Sequence, residues 1–209
     1  VNLSDNYLSI SSPFYNDGLV YIYSLNNSNS KNDSKPIHSI DVRNLGDVEG
    51  CYAEGPDKFG FGISTSFNNS KLLIGSLKDY VHLIEFNGGI SSSSVIPNPI
   101  DHDHNEHDNS DDSNTTSDYH KFGESVYVGD NNLYVAALNY DNGKGKVFVY
   151  PFVQSSNKLN DNSWTNPYEL QPNNISDNSH FGYKFSESGN EISISTFNQK
   201  TIYNYSIKN

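Results

Sequence analysis

The sequence predicts an all-β protein made of repeated four-stranded antiparallel units. Three observations predict it. Four segments align with one another: Leu8–Asn26, Phe59–Asn87, Phe122–Phe152 and Phe181–Ile207. Within each, short runs of β-branched and aromatic residues are punctuated by Asn, Asp and Gly turns, the pattern of hairpins. No stretch of ten or more residues offers an apolar face at helical spacing. Phe-Gly pairs head the last three segments at 59, 122 and 181, spaced 63 and 59 residues apart. The first segment has no such pair and reads as a half unit. The units run over about 1–58, 59–121, 122–180 and 181–209, about three and a half repeats in one domain.

Each unit reads in the same order. A strand follows Phe-Gly, as in Glu124–Val128. A short polar turn comes next, at Asn68-Asn69-Ser70, Gly129–Asn132 or Ser188-Gly189-Asn190. The second strands are Leu8–Ser11, Leu72–Ser76, Leu133–Ala137 and Ile192–Thr196. A Gly/Asn/Asp turn leads into third strands with period-2 alternation: Val20–Tyr23, Val81–Phe86, Val147–Tyr150 and Ile202–Tyr205. Looser fourth strands lie in Ile37–Val42, Ser94–Ile96 and Tyr168–Leu170. The tracts Ser24–Ser34, Ser91–Ser94, Asp101–Asp118 and Gln154–Ser163 read as exposed loop insertions.

Small residues recur in the second strands: Ser11-Ser12, Gly75-Ser76, Ala136-Ala137 and Ser195-Thr196. Strands that converge on a crowded centre need small side chains, and four-stranded blades set radially around an axis make such a centre. A solenoid would want them too, but its coils run shorter than about 30 residues. The expected fold is thus a β-propeller-like array of four-stranded antiparallel blades, either whole or part of a larger propeller.

Phe122-Gly123, Leu133–Leu138, Gly143, Gly145 and Val147–Tyr150 fall in one register, and Leu8–Pro13 repeats the strand with its closing proline. Trp164 and Tyr168–Pro172 precede His180-Phe181-Gly182 in the same manner. This pattern resembles the FG-GAP repeat, which builds the β-propeller of integrin α subunits and of many extracellular proteins. The resemblance implies an extracellular or cell-surface protein of the secretory pathway that binds a protein or glycan ligand. It carries over no catalytic residue. Integrin repeats often hold calcium in an acidic loop between their first two strands. The turns here are too short and too poor in carboxylates to supply six to eight oxygen ligands, so calcium is not expected and no cofactor is predicted.

Charge narrows the partners further. Lys and Arg number 13 against 25 Asp and Glu, a net charge of −12. Nucleic acid and anionic membranes call for a clustered basic face, so neither is expected as a partner. No apolar run approaches the ~18 residues of a membrane span. Cys51 is the one cysteine, which excludes an intrachain disulfide. The absence of Met and the start at Val1 suggest a removed leader or a longer parent chain. Three and a half units do not close a ring of the usual seven blades, so further chain or other copies joined through open blade edges are expected.

Asp101–Asp118 is the most unusual stretch. It holds His102, His104 and His107 among seven acidic residues. His-rich tracts can bind zinc or nickel, but alternate residues of an extended chain point to opposite sides, and a flexible loop must be ordered before it ligates. A solvated loop is the preferred reading. Asp141, in the Asn139–Gly145 loop, is the other metal candidate; there the preferred reading is a hairpin loop whose Asn and Gly supply positive φ. His38, His82, His120 and His180 read as structural, and no nucleophile motif surrounds any Ser or Cys.

Seven Asn-x-Ser/Thr sequons occur, against about 5 expected by chance from 30 Asn and 37 Ser and Thr, so their number carries no weight. Asn26, Asn32, Asn68, Asn114 and Asn174 fall in expected loops and are the glycosylation candidates. Asn204 lies in the last expected strand, where a glycan fits only if that strand is an edge. Loop aromatics Phe14, Tyr15 and Tyr140 are candidates for ligand contact. The expected function is extracellular adhesion, ligand binding or structural assembly, a filament subunit included. The competing expectation is a hydrolase or lyase with its site at the propeller axis.

Overall fold

The computed structural model describes residues 1–4, 6–12, 18–25, 35–41, 63–66, 70–75, 80–86, 89–100, 120–152 and 167–207. These residues form fifteen strands in four antiparallel meanders. The first sheet holds β1 (Asn2–Leu3), β2 (Tyr7–Ser12), β3 (Leu19–Ser24) and β4 (His38–Asp41). The second holds β5 (Ile63–Ser66), β6 (Lys71–Gly75), β7 (Tyr80–Phe86) and β8 (Ile90–Pro97). The third holds β9 (Phe122–Val128), β10 (Asn132–Ala137), β11 (Lys146–Pro151) and β12 (Tyr168–Leu170). The fourth holds β13 (Phe185–Ser188), β14 (Glu191–Ser195) and β15 (Ile202–Ser206). In every sheet the strands lie in sequence order, and none of the four sheets closes into a barrel.

Two expectations are corrected. The first unit is not a half unit: Asn2 and Leu3 pair with Ser9 and Leu8, which completes a four-stranded sheet. Among the described residues, the sheet with three strands is the last one. The second fourth strand is also longer than expected. The serine run, expected as a loop insertion, joins β8, because Ser92, Ser93 and Ser94 pair with Glu85, Ile84 and Leu83 of β7.

The sheets pack face to face in chain order, and period-2 geometry decides which residue faces which neighbour. Val20, Ile22 and Ile40 of the first sheet meet Leu72, Ile74, Ile84 and Phe86 of the second. Leu73, Val81, Leu83 and Ile96 point the other way, onto Phe122, Val126, Leu133, Val135, Phe148 and Tyr150 of the third. Tyr134, Ala136, Val147 and Val149 leave the third sheet's opposite face for Phe181, Ile192, Ile194 and Ile207. Strands buried on both faces read as continuous apolar runs, as in Leu72–Ile74 and Val147–Tyr150. The fourth sheet is buried on one face only and alternates Ile, Ser, Ile, Ser along β14. Its outward face carries Ser186, Ser188, Glu191, Ser193, Ser195, Ile202, Asn204 and Ser206.

The Phe-Gly pair has a physical role in this packing. Phe122 and Phe181 are fully buried, the first edge-on to Phe148 and the second edge-on to Tyr203 and Tyr205. Each fills an inter-sheet core, where an aromatic side chain contributes about 2–3 kcal/mol by leaving water. The glycine lets the sheets meet. At Gly182 (φ +101°) a Cβ would lie 2.6 Å from the Ala136 Cβ and 2.9 Å from Val147 Cγ2. The residue before each pair is left-handed as well, at Lys121 (φ +55°) and His180 (φ +51°). Because that strain repeats between units, it belongs to the frame rather than to a site.

Candidate functional site

A cleft lies at the junction of the third and fourth sheets. It has a volume of about 480 Å³, within the usual range for small-ligand sites. Its walls are Lys121, Glu124, Ser125 and Leu138 from the third unit, and His180, Tyr183, Lys184 and Phe197 from the fourth. These eight residues form four equivalent pairs. Counted from Phe122 and Phe181, both walls use offsets −1, +2, +3 and +16. The cleft therefore lies where the same surface of two successive units comes together. The frame is constant across it, and the lining is not: Lys121 is matched by His180, Glu124 by Tyr183, Ser125 by Lys184 and Leu138 by Phe197.

Local structure holds these side chains in place. Lys121 precedes β9, and its ammonium lies 3.2 Å from Glu124 Oε2. Ser125 Oγ donates to the Tyr183 carbonyl at 3.0 Å and ties the two walls together. His180 Nδ1 lies 3.0 Å from the Leu138 carbonyl. A carbonyl only accepts, so Nδ1 carries a proton. Tyr183 and Phe197 are 37% and 53% exposed, with ring centroids 4.8 Å apart at an interplanar angle of 54°. Lys184 Nζ lies 5.3 Å from the Tyr183 ring and pairs with no carboxylate among the described residues. The cleft thus combines aromatic surface, an ion pair, a hydroxyl, an imidazole and one uncommitted cation.

A second polar cluster sits elsewhere on the same sheet junction. Glu187 of β13 faces the third sheet, and its Oε1 accepts from the Asp130 N–H at 3.4 Å. Burial pushes its carboxyl above the ordinary range; the hydrogen bond from Asp130 opposes the shift, and the Asp130 charge adds to it. Burial also raises the phenols of Tyr127, Tyr134 and Tyr168, with the Glu187 charge as the next cause for each.

The residues singled out from the sequence are scattered. Asp141 and Asn142 are left-handed (φ +50° and +55°), as are Gly143 (+74°) and Gly145 (+87°), so the loop winds into one short turn, Tyr140–Gly143. The Asp141 carboxylate is taken by Lys144 Nζ at 2.8 Å. Tyr140 is half-buried against the core of the second and third sheets, and its ring carries the Lys146 ammonium at 3.9 Å. Lys146 is itself held by Glu169 at 2.7 Å. Asn174 is exposed in a turn after β12. Asn204 is exposed on β15, an edge strand of its sheet, with Oδ1 accepting from Ser193 Oγ at 2.7 Å. His102, His104, His107, Asn26, Asn32, Asn68, Asn114, Phe14 and Tyr15 lie outside the described residues. Among the described residues no three His, Cys, Asp or Glu side chains converge as metal ligands, and no helix is long and apolar enough to cross a membrane.

The cleft itself escaped the sequence reading. Its signal lay in comparing units at fixed distances from Phe-Gly and asking where they differ, not where they agree. No protein-family model matches the chain, and no curated protein matches its sequence.

Proposed function

We propose that the chain is a ligand-binding or adhesion module of the extracellular space, built from FG-GAP-like blades. One observation carries this reading: a repeated frame of stacked sheets presents a cleft at equivalent positions of two units, lined by different residues on each wall. A constant scaffold with a diversified rim is how rigid folds carry binding sites. The blades are the four meanders, and the sheet-on-sheet stacking is their radial neighbour contact. Self-assembly is the second form of this reading. Stacking a further sheet on the fourth would bury Ser193, Asn204 and Glu191, which costs free energy without partners. Another copy therefore joins at the first sheet, whose outer face carries Leu8, Ile10, Tyr21 and Tyr23, or along strand edges.

The competing hydrolase or lyase reading draws on Glu187, a carboxyl with a raised pKa beside three tyrosines. Burial raises the three phenols as well, which suits a packed structural cluster better than proton transfer. The intact mass of the native protein, before and after enzymatic deglycosylation, tests the extracellular reading. A mass above 23.3 kDa that falls on treatment is expected, with the exposed Asn174 among the occupied sites. An unmodified chain purified from its own cells would contradict it.

A further inference from the structure

We propose that the cleft between the third and fourth sheets binds a saccharide bearing a carboxylate. The inference rests on the binding-module reading and names the ligand class of its site. Three features of the cleft select this chemistry together. Tyr183 and Phe197 leave aromatic surface in solvent at 37% and 53% exposure, although each lies within reach of packed neighbours. Such surface suits the apolar C–H face of a sugar ring, which is flat, weakly hydrated and flanked by hydroxyls. Those hydroxyls need partners that both donate and accept. Glu124 and Lys121 provide an acceptor and a donor in one pair, and the Ser125 hydroxyl lies beside them on the same wall.

The third feature is charge. Lys121 is committed to Glu124, whereas Lys184 has no carboxylate partner among the described residues. Lys35 and Lys200 also have no carboxylate partner among the described residues, but of these three ammonium groups only that of Lys184 belongs to a residue lining the cleft. The Lys184 ammonium stands at the mouth of the aromatic pair, where an anionic substituent on a stacked ring would reach it. A carboxylate there gains a charge-assisted hydrogen bond of the stronger kind. The overall charge of −12 opposes long polyanions, so a short oligosaccharide with one carboxylate per ring is the fitting size. A peptide backbone offers no C–H ring face flanked by hydroxyls for Tyr183 and Phe197.

The test uses the full 209-residue chain, isotope-labelled, titrated by NMR with three probes: trigalacturonate, neutral galactotriose and an acidic tripeptide. Trigalacturonate is expected to shift the Leu138 methyls and the Phe197 and Lys184 amides saturably, and to do so less as salt rises. Phe197→Ala and Lys184→Gln should each weaken it roughly tenfold, the loss of about one stacking or charged contact. Both side chains are exposed, so the variants keep the fold, which their unchanged remaining spectrum would document. Equal binding of galactotriose at these residues overturns the carboxylate, and preferential binding of the tripeptide overturns the saccharide; in both cases the binding-module reading stands. No shift at these residues with any probe overturns the cleft as the site and leaves the module reading to the native-mass experiment.

Discussion

Gly182 concentrates the constraints of the frame in one residue. It must be left-handed, and it must lack a side chain where the third and fourth sheets touch. Gly182→Ala adds backbone strain and overpacks Ala136 and Val147, so a loss of about 2–4 kcal/mol is expected, read as a lower denaturation midpoint with unchanged slope. Glu187 makes the opposite prediction. Its folded pKa lies above its unfolded value because burial disfavours the charge. Folding therefore takes up protons at Glu187, and the ionised form weakens the native state at neutral pH. Glu187→Gln should raise the midpoint at pH 7, and the gain should vanish as pH falls through the carboxylate range. A variant less stable at pH 7 would mean that the Asp130 hydrogen bond outweighs the burial cost.

At the scale of the element, β7 carries the clearest pH dependence. His82 is 1% exposed, lies edge-on to Tyr80 at 5.1 Å, and burial lowers its pKa from 6.5 to about 4. The imidazole is neutral when folded, whereas the unfolded chain takes up a proton below pH 6.5. Stability is thus level above pH 6.5 and falls as pH drops toward 4, by a total on the order of 3 kcal/mol. His82→Leu should flatten that limb of the midpoint-against-pH curve, and an unchanged slope would refute the assignment. The strands themselves were largely legible. Period-2 alternation placed β3, β7, β11 and β15, and the repeat order placed β6 and β10 between their turns. β1 was not legible because two residues carry no periodicity, and β8 was legible only over Ser94–Ile96 because the serines before them show no apolar alternation. The cleft was hidden for a different reason: no local motif marks Glu124, Tyr183, Lys184 or Phe197. Only inter-sheet packing brings offsets +2, +3 and +16 together.

For the whole molecule, the outward faces of the end sheets decide how it meets others. The fourth sheet shows serines, Asn204 and Glu191, with Ile202 the lone apolar side chain at 64% exposure. Ser193→Lys should leave sedimentation behaviour unchanged and cost about 1 kcal/mol of stability at most, the loss of its exposed hydrogen bond to Asn204. A shift in oligomeric state would show that this face is an interface after all. The sheets stack in chain order on a repeated frame. Methyl–methyl nuclear Overhauser contacts in Ile, Leu and Val-labelled protein test it most directly. Three sets are expected: Val20 and Ile22 with Leu72, Ile74 and Ile84; Leu73, Val81 and Leu83 with Val126, Leu133 and Val135; and Val147 and Val149 with Ile192 and Ile194. Contacts from the first sheet directly to the third or fourth, or the loss of any one of these three sets, would contradict the stacking order.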